Sequence, residues 1–347
     1  MSEWPELLLH IGAGKTGSTS IQFTLKNARE ALEERGVAYV GLMLELIAGA
    51  RKHDWCVEGA PQKYFRAENR QKTNDEVYRV IHDALKQYGE RGIRQVIWSN
   101  EAFLPRWDHI LEVIERLDRD GVPIRVLCYV RRHDKWARSG YVQFGIKYKT
   151  YPGPVRSFAE WINAQDIGYA KNLGIWEQAL PGKVEVYNFD AVGDVAAHFL
   201  TRAGLSGIKP IRANDSPSNA LLAAWATFNG RFDTQILPNA FTRIAKPLKI
   251  LNPRGTAVPS IDKLLPTTQE LLDVQDRYRD DLDAVNALLA AQGEPPMVFD
   301  APEEKNRAAS SWEIDHMLLH MVFALQKQVS DLQEEVEALK KSEKDYA

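Results

Sequence analysis

Short, continuous apolar runs that alternate with helix-patterned stretches constrain this chain more than any other feature. LLLHIG (7–12), VAYVG (37–41), QVIWS (95–99), IRVLCYV (124–130) and KVEVYNF (183–189) read as strands. The stretches 19–35, 74–88, 108–120 and 134–144 read as helices, as does the one running through Leu200. Gly36, Gly89 and Gly121 stand where the first three should stop. Strands without polar alternation are buried on both faces. The pattern therefore predicts an α/β fold, a parallel sheet flanked by helices. Ligands of such sheets bind beyond the carboxyl ends of the strands, so the residues after Leu9, Trp98 and Val130 are the candidates for function. At 347 residues about two domains are expected. We place an α/β domain over 1–305 and a separate helix over 310–345.

Charge and apolar patterning exclude several classes. Lys and Arg number 44 against 47 Asp and Glu, a net charge of −3, so no global basic excess suits a nucleic-acid binder. The apolar stretch 39–50 is interrupted by Glu45 and is too short for a transmembrane segment. The start, MSEWPELLLH, is acidic where a secretory signal would be basic. Two cysteines, Cys56 and Cys128, make neither a disulfide framework nor a zinc site, and Cys128 inside IRVLCYV is expected in the core. A reducing, cytoplasmic setting is expected. The segment 51–72 carries six basic and three acidic residues and reads as an irregular insertion, either a solvated loop or a substrate-facing lid. The Pro- and base-rich stretch 239–266 is expected to wrap the surface.

The segment His10-Ile-Gly-Ala-Gly-Lys-Thr-Gly-Ser-Thr-Ser20 follows the first strand and opens a helix. Its glycines let backbone N–H groups turn inward. Gly14, Lys15, Thr16, Gly17, Ser18, Thr19 and Ser20 then combine a helix N-terminus, a full positive charge and hydroxyl donors into an anion cradle. A Walker A loop needs glycine where Leu9 stands, so that motif fails. Gly12, Gly14 and Gly17 fit the dinucleotide fingerprint G-x-G-x-x-G. The acidic residue that fingerprint wants at the end of the second strand is missing, since Glu45 comes only after Leu42, Met43 and Leu44.

The string Lys15-Thr-Gly-Ser-Thr resembles the 5′-phosphosulfate loop of sulfotransferases that use 3′-phosphoadenosine 5′-phosphosulfate. LLLHIGAGKTGSTSIQ looks most like the bacterial carbohydrate-type members. The cytosolic small-molecule enzymes carry an aromatic residue where this chain has Ser20. That family grips the donor's 3′-phosphate with an arginine ending a central strand and a serine eight residues on. Arg131 and Ser139 stand at that spacing, within a stretch (125–149) of seven basic residues and one acidic residue. Arg254, in NPRGTAVPS, is a third contact the resemblance suggests. The resemblance covers 7–145 well and 183–260 loosely. It leaves the adenine-stacking residue unassigned.

The resemblance implies sulfuryl transfer to an acceptor hydroxyl, on a glycan or glycoconjugate, with the phosphosulfate nucleotide as donor co-substrate and no metal. Lys15 would neutralise the leaving phosphate, and Glu101, just past the strand 95–99, would be the base. His10 and His133 are lesser candidates for that base. Two alternatives stand: a nucleotide-dependent phosphotransferase using the same loop, and a non-catalytic dimeric scaffold. Finally, Leu318, Leu325, Leu332 and Leu339 recur every seven residues, with Val322, Val329 and Val336 on the other seam. This heptad pattern predicts either a parallel coiled-coil homodimer or an amphipathic helix lying on its own domain.

Overall fold

The computed structural model describes residues 4–58, 60–212, 219–230, 232–236, 240–245 and 265–300, with scattered positions of 315–336. In chain order come β1 (Glu6–His10), α1 (Ser18–Asn27), α2 (Arg29–Glu33), β2 (Val37–Tyr39), α3 (Gln62–Phe65), α4 (Arg70–Glu90), β3 (Gln95–Ser99) and α5 (Trp107–Arg119). Then follow β4 (Ile124–Val130), α6 (His133–Gly140), α7 (Phe158–Asn163), α8 (Ala170–Ala179), β5 (Val184–Asn188) and α9 (Val195–Arg202). The chain continues with α10 (Asn219–Asn229), α11 (Ala240–Ala245), α12 (Thr268–Arg277) and α13 (Arg279–Ala291). Two compact units result: 1–136 with 167–214 and 275–300, and 137–166 with 215–274 and 301–347.

The first unit holds the sheet. Its five strands are all parallel, in the order β2-β3-β1-β4-β5. Successive side chains of a strand point to opposite faces, and both faces are buried here. Leu7, Leu9, Val96, Trp98, Val126 and Cys128 enter one core with Ile81, Ile114, Trp176 and Val285. Leu8, Ile97, Leu127 and Tyr129 enter the other with Ile21, Leu25 and Phe199. Double burial is why these strands are unbroken apolar runs. β1 is central, with His10 in register with Ser99 of β3 and Leu127 of β4. Its carboxyl end opens where the chain leaves to one side for β2 and later returns on the other side for β4 and β5.

Several local expectations need correction. The segment 51–72 keeps most of its charged residues exposed, as a solvated insertion would, but it is anchored to the core rather than irregular throughout. Trp55, Cys56 and Tyr64 are buried in the first core, Trp55 Nε1 donates to Glu76 Oε2 at 3.0 Å, and the Tyr64 hydroxyl donates to the His109 carbonyl at 2.6 Å. The aromatic residues, not the charges, decide its placement. The helix expected over 19–35 breaks at Ala28 into α1 and α2. The one expected over 134–144 ends as α6 at Gly140 and continues as a π-helix over Tyr141–Lys147. At Gly145 a Cβ would lie 2.3 Å from the Tyr141 ring, so the wide turn closes tightly over that ring. Glu45 caps the turn after β2, accepting from Leu42 N and Met43 N at 3.0 and 2.7 Å.

The second unit is helical where described. Tyr141 packs edge-on against Phe158 and meets Trp161, and its hydroxyl donates to the Arg156 carbonyl at 2.7 Å. The fully buried Lys149 is satisfied by the Gly153 and Phe232 carbonyls. Of the stretch 239–266, only α11 and its last two residues fall within the described residues.

Candidate functional site

The loop from β1 to α1 is built on left-handed backbone. Gly12, Gly14 and Gly17 have φ of 32°, 60° and 79°, and Lys15, which is not glycine, has 55°. A non-glycine residue held there costs on the order of 1–3 kcal/mol, and such conformations concentrate at ligand sites. Gly17 is required twice over: a Cβ would lie 2.4 Å from Val195 Cγ1 of α9. A Cβ at Gly12 would meet Ser18 Oγ at 3.0 Å, His10 Nε2 at 3.2 Å and Glu101 Cβ at 3.3 Å, so these three side chains converge on one point of the loop.

Polar atoms at this loop are buried without hydrogen bonds. They are His10 Nε2, Thr16 Oγ1 and Ser18 Oγ, joined by Arg131 Nε at the end of β4. An unbonded buried polar atom costs about 1–3 kcal/mol, and three of these four lie on the loop or on the strand residue that leads into it. His10 Nδ1 is 2.8 Å from Ser99 Oγ, and burial holds the His10 pKa down to about 3. The ring is therefore neutral, able to hydrogen bond an anion but a poor acceptor for an alcohol proton. Thr19 is exposed on α1, whereas Ser20 is buried and its carbonyl accepts from Thr24 Oγ1.

Arg131 lies against the loop. Its Nη1 donates to the Lys15 carbonyl at 3.3 Å, its Nε stands 3.6 Å from Asp190 Oδ1, and its guanidinium sits over the Phe189 ring. The neighbouring Arg132 has a different task. It is spent on Asp134, Asp300 and the Val298 carbonyl, and only 5% of its side chain is exposed. Ser139 lies in the last turn of α6, among the residues of the second unit, and Arg254 lies outside the described residues. Glu101 follows β3, and its Oε2 accepts from Gln22 Nε2 of α1 at 2.7 Å. His133 is fully buried, 2.9 Å from Asp281 and stacked on Tyr278, so it serves the core.

Four contributors escaped the sequence reading. Trp136 Nε1 of α6 donates to the Ala13 and Gly14 carbonyls at 3.1 and 3.2 Å, tying that helix to the loop. Asp190 accepts from Arg132 N at 3.1 Å and draws Lys135 Nζ to 3.3 Å as well as Arg131. Gln22 orients Glu101. Asp190 had a usable signal, since it follows β5 as Arg131 follows β4. Trp136, Lys135 and Gln22 had none, because only folding brings them to their partners. No group of His, Cys, Asp and Glu among the described residues could hold a metal ion, and no helix among them is long and apolar enough to cross a membrane.

No protein-family model matches the chain, and no curated protein is similar to it. Among solved structures, a retinol dehydratase in complex with androsterone and inactive cofactor PAP is similar over 94% of this chain and 81% of that one. The identity is 10% and the TM-score 0.25. A likeness at that score carries no argument about this chain.

Proposed function

We propose that this chain transfers a sulfuryl group from 3′-phosphoadenosine 5′-phosphosulfate to an acceptor hydroxyl, carried on a glycan or glycoconjugate. The observation that supports this most is the set of three unbonded buried polar atoms on the β1–α1 loop side, with the Arg131 guanidinium lying against the same loop. A donor with phosphates at both its 5′ and 3′ ends needs two such anion sites. In this reading the loop backbone of Gly14, Lys15, Thr16 and Gly17, with Ser18, Thr19 and Ser20, holds the 5′-phosphosulfate. Arg131 and Ser139 hold the 3′-phosphate, with Arg254 as a further contact. The acceptor oxygen forms a bond to sulfur as the bond from sulfur to the bridging phosphate oxygen breaks. Glu101 takes the hydroxyl proton, and Lys15 neutralises the leaving phosphate.

Thermal unfolding with three nucleotides tests the proposal. Adenosine 3′,5′-bisphosphate at 100 times its Kd should stabilise the protein by about 2.7 kcal/mol. ADP and NAD, which lack a 3′-phosphate, should do far less. Equal stabilisation by ADP would move the assignment to phosphoryl transfer, and no stabilisation by any of the three would favour a scaffold.

A further inference from the structure

Nine large apolar side chains are exposed among the described residues. Six of them, Leu318, Val322, Leu325, Val329, Leu332 and Val336, belong to the helical positions within 315–336, each 47–60% exposed. The other three, Phe23, Phe232 and Val298, lie on separate segments, and isolated exposures of that kind are ordinary. A seven-residue repeat of exposed Val and Leu is not. An apolar stripe at helical spacing that faces solvent needs a partner.

We propose that this stripe is the seam of a parallel, in-register coiled coil with a second copy of the chain. Valine fills all three a positions, 322, 329 and 336, and leucine fills the d positions 318, 325 and 332, with Leu339 continuing by sequence. β-Branched a with leucine d is the combination that favours two parallel strands. Charge complementarity fixes the direction. Parallel pairing sets Glu335 at g against Lys340 at the following e of the second copy, and symmetry supplies the contact twice. Antiparallel pairing would set Val against Leu in each layer and separate these charges. The seam is independent of what the loop binds.

Light scattering of the full chain at micromolar concentration tests the pairing. Twice the mass of the chain is expected. Leu325→Glu with Leu332→Glu would bury like charges across the seam and should halve the mass while leaving the near-UV circular dichroism unchanged. A chain ending at residue 312 should also be monomeric, which guards against misfolding of the double variant. Val322→Cys, at one end of the seam, should form a disulfide-linked dimer on oxidation, while the buried Cys56 and Cys128 do not. A wild-type monomer, or a dimer that survives in the double variant or the shortened chain, would overturn the proposal. A dimer whose Val322→Cys form fails to cross-link would overturn its parallel direction.

Discussion

Gly14 and Gly17 are both left-handed, yet their surroundings differ. Around Gly14 a Cβ would meet nothing within 4 Å, whereas at Gly17 it would strike Val195. Gly14→Ala should cost only the backbone strain, about 1–2 kcal/mol. Gly17→Ala should cost a further ~1–3 kcal/mol for displacing α9. Urea unfolding separates the two, and equal losses would show that α9 yields freely. Charge at the same loop separates binding from chemistry. Arg131→Ala should weaken adenosine 3′,5′-bisphosphate binding by about 1.5–3 kcal/mol, the worth of a hydrogen bond to a charged group. Glu101→Gln should keep that affinity, since Gln22 can still find an amide oxygen there, but lower turnover by roughly 10²–10⁴ if Glu101 takes the proton. Normal turnover in Glu101→Gln would remove it as the base. His10 would be a poor replacement, because burial holds its pKa near 3.

Strands β4 and β5 are joined to α9 by one carboxylate. Glu185 accepts from Arg125, from Arg202 Nη2 at 3.2 Å and from the Tyr187 hydroxyl. Burial pushes its pKa up, but the hydrogen bonds from Arg125 and Tyr187, with the charge of Arg125, outweigh burial and hold it at about 2. The unfolded chain binds this proton at higher pH than the folded one, so the stabilisation is fully present above the ordinary carboxylate range and lost as pH falls toward 2. Wild type should lose on the order of 2–3 kcal/mol between pH 5 and pH 2 that Glu185→Gln does not lose. Urea titrations at several pH values would show it, and parallel pH profiles would refute it. The strand itself was legible in the sequence, as were β1, β3 and β4, because burial on both faces writes an unbroken apolar run. The break at Ala28 and the π-turn after Gly140 were not legible, since neighbouring packing decides where a helix stops. The same limit hid Trp136 and Gln22 from the reading of the site, while the loop and Arg131 showed themselves by sitting at strand ends.

The first unit is completed by chain that returns late. After 60 residues assigned to the second unit (215–274), the segment 275–300 rejoins the sheet-bearing unit. There α13 places Leu282, Val285 and Leu289, at most 2% exposed, in the first core, and Asp281 accepts from Tyr169 N and Ala170 N at the start of α8. Nothing in the residues 275–300 announces this, because an amphipathic helix carries no record of which sheet it will cover. The consequence is that the αβ unit cannot be isolated by cutting after its last strand and helix. A chain ending at residue 274 would expose three core side chains, each worth about 1.5–3 kcal/mol of burial, a sum comparable with the whole stability of an ordinary domain. It should be insoluble or lack a cooperative thermal transition. A chain ending at residue 312 retains α13 and should unfold cooperatively, with the near-UV spectrum of its buried tryptophans Trp98 and Trp176 intact. Cooperative unfolding of the 274-residue chain, with that spectrum preserved, would show that α13 is dispensable to the sheet.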